Sequence, residues 1–203
     1  MKIFCVGRNY TEHAKELSNE VPETPVIFLK PNSALYNPVN TFFYPPFTND
    51  LQYEAELVIG ICKNGKYIDD MQAFNYYDKI SVGIDFTARD VQASLKEKSL
   101  PWEKAKGWDN SAVLGKWQKL TREMLEKPIE FSLVLNDKIV QKGSSTDMIF
   151  SFDQIVSEIS QYFALSIGDV IFTGTPAGVG PCTVTDTLKG YLGTEEVFQL
   201  EIK

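Results

Sequence analysis

The 203-residue chain is long enough to bury a full hydrophobic core, and 43% of its residues are hydrophobic. Its formal net charge of −7 argues against a nucleic acid or an anionic membrane as a partner. Cys5, Cys62 and Cys182 are widely spaced without a CxxC pair, so neither a zinc site nor a disulfide framework is predicted. No window approaches the ~20 apolar residues of a membrane span and no signal peptide is evident, so we expect a cytoplasmic protein.

The first fifty residues predict two short strands and one helix. A strand at 1–7 ends in a glycine turn, and a short helix follows at 11–17. The second strand is predicted at 26–30. The intervening segment 19–25 and the later segment 36–50 contain prolines and are predicted to be loops.

The middle of the chain predicts two strands that are each followed by a helix. The predicted elements are a strand at 53–62, a helix at 70–78, a strand at 80–86 and a helix that runs to about Lys98. Thr87 and Asp90 have the spacing of a capping box and are expected to start the second helix. Residues 99–120 are predicted to be irregular.

The last third of the chain predicts a hairpin, one clear amphipathic helix and two further strands. Strands at 129–135 and 139–142 flank an Asn-Asp-Lys turn, and apolar residues recur at helical spacing over 152–164. Further strands are predicted at 169–172 and 195–203. Helices and strands do not alternate regularly, so a β-rich α+β fold with a mixed sheet is favoured over a doubly wound one.

Three acidic side chains adjoin apolar runs. Glu54 and Glu56 precede the run at 57–61, and alternate residues of a strand share one face roughly 6–7 Å apart. Asp85 interrupts a second apolar run at 80–86. Buried carboxylates are costly unless neutralised, and a hard divalent cation suits three acidic oxygens. The pattern predicts a site for Mg²⁺ or Mn²⁺, with Ca²⁺ as a further choice; the alternatives are a half-exposed strand and an aspartate that caps a helix.

His13 is the one histidine in the chain and therefore the natural candidate for a general acid or base at neutral pH. Glu16 follows three residues later, on the same face of the predicted helix, where it can orient the imidazole. The alternative interpretation is an ordinary surface pair of histidine and glutamate.

A glycine-rich loop at 173–181 follows a predicted strand, and its small side chains suit carboxylate or phosphate binding. The alternative is a turn that only reverses the chain. Arg89, Gln92, Lys104 and Lys106 lie close in sequence to the acidic residues. One of the two lysines is expected to supply the positive charge that an oxyanion requires, although such residues are ordinarily solvated at a surface.

Six blocks of the sequence resemble the fumarylacetoacetate hydrolase family, and specifically its short acylpyruvase/oxaloacetate decarboxylase type. The blocks are GRNYTEHAKEL (7–17), PVIFLKP (25–31), YEAEL (53–57), GIDFTARDVQ (83–92), PWEKAKGWD (101–109) and IFTGTPAGVG (171–180). The resemblance implies a single catalytic domain over 1–203 and a mixed β-sheet or β-roll of the C-terminal-domain type of that family, with a few short helices. It also implies a homodimer.

The resemblance assigns a role to individual residues as well. The implied metal ligands are Glu54, Glu56 and Asp85. The implied catalytic residues are His13 and Glu16, on a mobile lid over about 8–24, together with Lys106. The implied substrate-binding residues are Arg8, Tyr10, Arg89, Gln92 and Thr175.

The implied activity is metal-dependent cleavage of a C–C bond in small anionic 2-oxo acids, either acylpyruvate hydrolysis or oxaloacetate decarboxylation, through a pyruvate enolate stabilised by the metal. His13 with Glu16 would deprotonate the water that attacks an acylpyruvate. The first alternative is an isomerase or tautomerase of 2-hydroxydienoates or oxaloacetate. A second, non-enzymatic alternative is a metal-binding scaffold.

Overall fold

Fourteen strands and five short α-helices form the framework of residues 1–11 and 22–203, which the computed structural model describes. The strands are β1 (Ile3–Val6), β2 (Ile27–Lys30), β3 (Leu51–Tyr53), β4 (Ala55–Ile61), β5 (Tyr77–Asp85), β6 (Thr87–Ala88), β7 (Ala112–Leu114), β8 (Gln118–Lys119), β9 (Glu130–Leu135), β10 (Lys138–Ser144), β11 (Val170–Phe172), β12 (Gly180–Pro181), β13 (Thr187–Leu192) and β14 (Glu195–Glu201). The helices are α1 (Asp70–Ala73), α2 (Arg89–Glu97), α3 (Glu103–Lys106), α4 (Arg122–Leu125) and α5 (Phe152–Tyr162).

The strands form three sheets. The largest has the order β2-β1-β11-β4-β5-β7, with β8 also paired to β5. Its β1–β11 pair is parallel, whereas its other pairs are antiparallel, so the sheet is mixed. A four-stranded antiparallel sheet has the order β10-β9-β13-β14, and a small sheet has the order β12-β3-β6. The predicted β-rich α+β class with a mixed sheet is confirmed.

The central strand β4 is buried along its whole length, which explains its unbroken apolar sequence. Leu57 and Ile59 point into the larger hydrophobic cluster, while Val58 points into a smaller one with Cys5 and Phe172. Because side chains alternate along a strand, Glu56 lies on the same face as Val58. This burial on both faces is what places charged side chains inside the protein.

The amphipathic helix predicted at 152–164 is α5. Ser151 caps it, and Gln154 completes a reciprocal capping box. Its apolar face, which includes Ile155 and Ile159, is fully buried in the larger hydrophobic cluster. None of the helices within 1–11 and 22–203 combines the length and apolarity that a membrane crossing requires.

Several predicted elements differ from the structure. The helix predicted from 70 stops at Ala73, continues as a 3-10 turn through Tyr76, and gives way to β5. The capping box at Thr87 and Asp90 is wrong, because Thr87 lies in β6 and α2 begins after Ala88 without a side-chain cap. Residues 99–120 are not irregular, since they contain α3, β7 and β8.

Candidate functional site

The three acidic residues converge where β4 and β5 run side by side. Glu54 occupies the break between β3 and β4, Glu56 lies within β4, and Asp85 ends β5. The backbone N–H of Asp85 donates to the carbonyl of Glu54 at 2.9 Å, which fixes the two strands at this point. One carboxylate oxygen from each residue lies within 4.8 Å of the other two. All three residues are buried, at 6%, 1% and 1% exposure respectively.

Three cations surround two of these carboxylates. Lys106 Nζ donates to Glu54 Oε2 at 2.8 Å and to Asp85 Oδ2 at 2.7 Å. An Arg89 guanidinium nitrogen donates to Glu54 Oε1 at 2.6 Å. Lys30 Nζ lies 2.7 Å from Asp85 Oδ1, although that oxygen accepts no hydrogen bond within the described part of the chain. The contact is therefore ionic, and the geometry of a hydrogen bond is not met.

Glu56 has different surroundings. Its Oε2 accepts a hydrogen bond from the backbone N–H of Gly174 at 2.7 Å, and no lysine or arginine of the described residues forms an ion pair with it. Burial raises its pKa well above the ordinary value, and repulsion from Asp85 and Glu54 raises it further. A fully buried carboxylate next to two others is best stabilised by a multivalent cation. The donor set, three carboxylates, suits a hard divalent metal ion.

Lys106 reaches these carboxylates from the last residue of α3. Burial lowers the pKa of its ammonium, but attraction to Asp85 and Glu54 outweighs burial and leaves the pKa above its ordinary value. Lys106 is therefore a permanent positive charge at neutral pH. It can stabilise a negative charge that develops beside it.

The glycine-rich loop contacts the site through its backbone. Gly174 has a φ of +101°, which brings its N–H onto Glu56, and a Cβ at this position would lie 2.6 Å from Asn9 Cβ. The Asn9 amide donates to the carbonyls of Thr173 and Phe150, so it anchors the loop to the end of β1. The loop is thus more than a reversal of the chain, because its backbone holds a site carboxylate.

Thr175 and Gln141 form a buried polar network behind that loop. The Thr175 hydroxyl donates to the carbonyl of Ala55 at 2.8 Å and accepts from Gln141 Nε2 at 2.8 Å. Gln141 Oε1 in turn accepts from the N–H of Ala55. A cavity of about 580 Å³ adjoins this loop, with Tyr10, Lys142 and Pro176 among its lining residues.

Arg89 and Gln92 are held together at the edge of the acidic cluster. Arg89 Nη1 donates to Gln92 Oε1 at 2.7 Å, and its Nε donates to Gln52 Oε1 at 2.8 Å. Thr87 Oγ1 donates to Glu54 Oε1 at 3.0 Å, on the same oxygen that Arg89 contacts. These contacts fix the orientation of Glu54, and they explain why Thr87 does not cap the helix.

Further cationic side chains lie near the same edge. Lys96 is exposed as a whole residue, yet partial burial of its ammonium lowers its pKa, and repulsion from Arg89 and Arg8 lowers it further. Arg8 is half-buried, and the neighbouring Tyr10 is buried with its hydroxyl unpaired among the described residues. Positive charge therefore concentrates here, although the chain as a whole carries −7.

Two predicted catalytic residues, His13 and Glu16, lie outside the described residues, as does the central part of the predicted lid over 8–24. The other predicted site residues are described, and the structure brings Glu54, Glu56, Asp85 and Lys106 into one cluster. Lys104, the other lysine considered, forms no ion pair with these carboxylates.

Sequence reasoning missed Lys30, Gln141 and the site role of Thr87. Lys30 ends a predicted apolar strand, and a lysine there is ordinarily expected to reach solvent. Lys30 is nonetheless buried, at 2% exposure. Its burial depends on hydrogen-bond partners more than fifty residues away in sequence. No local pattern signals such long-range contacts.

Comparison with known proteins gives consistent results over the whole chain. The family model described as "Fumarylacetoacetate (FAA) hydrolase C-terminal" matches residues 2–203. The mitochondrial oxaloacetate tautomerase FAHD1 of Arabidopsis thaliana is 41% identical over 97% of this chain and 88% of the relative. The mitochondrial oxaloacetate decarboxylase of Dictyostelium discoideum is 37% identical over 99% of this chain and 93% of the relative.

A solved structure is similar as well. The fumarylpyruvate hydrolase of Pseudomonas aeruginosa, crystallised in complex with Mn²⁺ and pyruvate, superposes with a TM-score of 0.91. It is 33% identical and covers 100% of this chain and 89% of its own.

Proposed function

The chain belongs to the fumarylacetoacetate hydrolase family, and from that premise we propose that it is a divalent-metal-dependent enzyme acting on small anionic 2-oxo acids. The reaction is cleavage of a C–C bond, as hydrolysis of an acylpyruvate or decarboxylation of oxaloacetate. The observation that carries the proposal is the buried cluster of three carboxylates with Lys106 at 2.7–2.8 Å from two of them. Relatives named for oxaloacetate and fumarylpyruvate support the same substrate class.

The residues that would hold the metal are Glu54, Glu56 and Asp85, and Mg²⁺ or Mn²⁺ is the expected ion. When bound, the cation supplies Lewis-acid polarisation of a 2-oxo group and positive charge beside a carboxylate. The chain itself orients the ligands: the Gly174 N–H holds Glu56, while Arg89 and Thr87 hold Glu54.

Lys106 has the second role in this proposal. Cleavage next to a 2-oxo group leaves negative charge on an enolate oxygen, and a preorganised cation in a buried site stabilises such charge far more than water does. Because the Lys106 pKa is raised, the ammonium remains charged throughout the reaction. Its role in this proposal is to hold positive charge beside the developing enolate oxygen.

Substrate capture follows from the local charge. Arg8, Arg89 and Lys96 lie at the edge of the cluster, and they offset the repulsion that a net charge of −7 exerts on an anionic substrate. The cavity beside Tyr10 and Lys142 has room for an acyl group. Gln92 and Thr175 are proposed to contact the substrate at the two sides of the site.

His13 and Glu16 are proposed to activate water for hydrolysis, as the family resemblance implies. A His13→Ala variant is expected to lose acylpyruvate hydrolysis while still binding Mn²⁺, because the histidine is not among the proposed ligands. Unchanged hydrolysis in that variant would contradict the role of His13.

A tautomerase is the second candidate, because the Arabidopsis relative is named for that reaction. Interconversion of enol and keto forms of oxaloacetate needs the same polarised 2-oxo group and a proton donor, but no broken C–C bond. The two activities therefore differ in whether pyruvate appears.

The test compares protein stripped with EDTA and protein reloaded with Mg²⁺ or Mn²⁺, on oxaloacetate, acetylpyruvate, fumarylpyruvate and a 2-hydroxydienoate. Pyruvate formation is followed with a coupled dehydrogenase, and loss of the enol is followed by ultraviolet absorbance. Free divalent ions promote the decay of oxaloacetate, so the metal without protein and a Glu56→Gln variant are the controls. Metal-dependent pyruvate release supports the proposal, and enol loss without pyruvate supports the tautomerase. No turnover of any substrate by the reloaded protein contradicts both.

The homodimer and the cytoplasmic location also remain proposals. Val39, Phe43 and Phe47 are large apolar residues with 86%, 69% and 49% exposure, and such residues are common at subunit interfaces. Light scattering coupled to size-exclusion chromatography gives the mass directly, and a monomer at micromolar concentration would contradict the dimer.

A further inference from the structure

Lys30 is a second lysine at the acidic centre, and its side chain is completely buried. Its ammonium lies 2.7 Å from Asp85 Oδ1. It also donates to three backbone carbonyls, those of Phe86 at 3.4 Å, of Ser111 at 3.1 Å and of Lys106. The Ser111 hydroxyl oxygen accepts a further hydrogen bond at 2.9 Å. An ammonium has three protons, so it is fully engaged by the protein and has no capacity left to bind a substrate.

These partners belong to three segments that meet at the site. Asp85 ends β5 and Phe86 follows it, the Lys106 carbonyl closes α3, and Ser111 precedes β7. Strand β7 pairs with β5 through Ala112 and Asp85. The Ser111 hydroxyl also donates to the Lys106 carbonyl at 2.7 Å. Lys30 therefore joins the backbone of Lys106 to the backbone that presents Asp85.

The two lysines divide the Asp85 carboxylate between them. Lys30 faces Oδ1, while Lys106 contacts Oδ2. The rotation of the carboxylate is thereby fixed, and one oxygen is directed toward Glu54 and Lys106. Without Lys30, Oδ1 would be a buried charged oxygen with no cation beside it, and the carboxylate would be free to turn.

We propose that Lys30 is a positioning residue, which sets both the distance of Lys106 from Asp85 and the carboxylate oxygen that Asp85 directs into the site. The proposal deepens the proposed function and rests on it. The partners of Lys30 are Asp85 and groups of Phe86, Lys106 and Ser111, so Lys30 is not itself proposed to contact the substrate. Its effect on the reaction is geometric, and a displacement of about 1 Å in a catalytic group can cost on the order of 100-fold in rate.

The test uses three variants at the Lys30 cluster and one control. Lys30→Met keeps an unbranched side chain of nearly the same length without its charge, and Lys30→Arg keeps the charge with a different shape. Ser111→Ala removes the hydroxyl that contacts both Lys30 and the Lys106 carbonyl. Lys79→Met is the matched control, because Lys79 lies on β5 but its ammonium stacks over Trp117, away from the carboxylates. Each purified variant is assayed for kcat, KM, thermal midpoint, Mn²⁺ affinity and the affinity of the Mn²⁺-loaded protein for oxalate, a planar dianion that resembles a pyruvate enolate.

The expected result is a loss of kcat, of about 100-fold in Lys30→Arg and about 10-fold in Ser111→Ala, with KM changed less than about threefold. Oxalate affinity should fall in parallel, because oxalate depends on the same placement of Lys106. Mn²⁺ affinity in Ser111→Ala should fall by less than about 10-fold, because the Ser111 hydroxyl contacts Lys30 and the Lys106 carbonyl but none of the proposed ligands. Lys79→Met should match wild type in every measurement.

Two results overturn the proposal. The first is full turnover and oxalate affinity in Lys30→Arg, which would mean that charge suffices and that geometry is irrelevant. The second is a lowered thermal midpoint in Ser111→Ala and Lys30→Met with unchanged kcat and oxalate affinity, which would assign Lys30 a purely structural role. Oxalate binding does not require turnover, so a wild-type protein that binds Mn²⁺ and oxalate but cleaves no 2-oxo acid refutes only the proposed function. A wild-type protein that binds Mn²⁺ without oxalate overturns both proposals.

Discussion

The acidic centre on β4 and β5 and the four-stranded sheet of β9, β10, β13 and β14 contain the same kinds of charged side chains in opposite surroundings. Every residue of β4 is buried, whereas burial alternates along β13, and β14 is exposed along most of its length. The first pattern is typical of a strand covered on both faces, and the second of a sheet with one face in water. Charges on β4 must therefore be met by the protein, while those on β14 are met largely by solvent.

The ion pairs of the two regions differ accordingly. Lys106 contacts Glu54 and Asp85 with all three side chains at 8% exposure or less. Lys189 on β13 lies 3.5 Å from Asp137, whose side chain is 90% exposed. A buried pair is strongly destabilising when one partner is removed, but an exposed pair contributes little. Burial, more than the type of residue, therefore decides whether a carboxylate must be neutralised by a cation inside the protein.

The largest effect is expected when a carboxylate of the acidic centre is neutralised, and no effect is expected from the matched change in the four-stranded sheet. Asp85→Asn removes a proposed ligand and leaves Lys30 and Lys106 without their shared partner. Mn²⁺ affinity should fall by at least about 100-fold, since even partners outside the ligand shell are worth 10–100-fold. Stability of the metal-free protein should fall by about 3–5 kcal/mol, because a buried ion pair loses one side.

Asp137→Asn is the matched change in the four-stranded sheet. Its side chain occupies a hairpin turn with a φ of +65°, a conformation that asparagine adopts readily. Thermal midpoint and Mn²⁺ affinity, measured by calorimetry, should equal those of wild type. A comparable loss of stability and Mn²⁺ affinity in both variants would show that burial of the carboxylate does not determine its contribution.

Lys106→Met is expected to change turnover and Mn²⁺ affinity in opposite directions. Turnover should fall by about 100- to 1,000-fold, the usual consequence of removing one preorganised donor to a developing oxyanion. Mn²⁺ affinity should rise, because the Lys106 ammonium and a metal ion compete for Glu54 Oε2 and Asp85 Oδ2. Lys189→Met on β13 should alter neither quantity. A joint fall of turnover and Mn²⁺ affinity in Lys106→Met would assign the lysine to metal binding instead of catalysis.

The buried region was the easier one to predict from the sequence. Apolar runs indicate β4 and β5, and the acidic residues stand out against them as anomalies. The helix α5 was equally clear, because its apolar spacing and its capping box agree. These signals are local, so a single sequence contains them in full.

The parts that escaped prediction depend on distant residues. The strand β13 (Thr187–Leu192) contains a central glycine that disfavours a strand locally, yet a Cβ at Gly190 would lie 2.0 Å from the Phe198 ring of β14. The cross-strand neighbour requires the glycine, and only the fold reveals it. Lys30 escapes prediction for the same reason, since its partners lie at the end of β5, at the end of α3 and just before β7. The spacing of Thr87 and Asp90 predicts a helix cap, whereas Glu54, the actual partner of Thr87, lies 33 residues earlier and leaves no local signal.

The smallest changes in stability and Mn²⁺ affinity are expected from replacing one glycine by alanine in each region. Gly190→Ala should lower stability by about 1–3 kcal/mol, because Phe198 must shift, but it should leave Mn²⁺ affinity unchanged. Gly174→Ala adds a methyl group 2.6 Å from Asn9 Cβ at a φ of +101°, so the loop must move and the N–H that holds Glu56 moves with it. Mn²⁺ affinity should therefore fall by about 10-fold in this variant alone, in line with the loss of a contact that orients a ligand. Calorimetric titration of both variants, with unfolding in urea as the measure of stability, separates the two effects. Equal Mn²⁺ affinity in the two variants would show that the Gly174 backbone does not support the metal site.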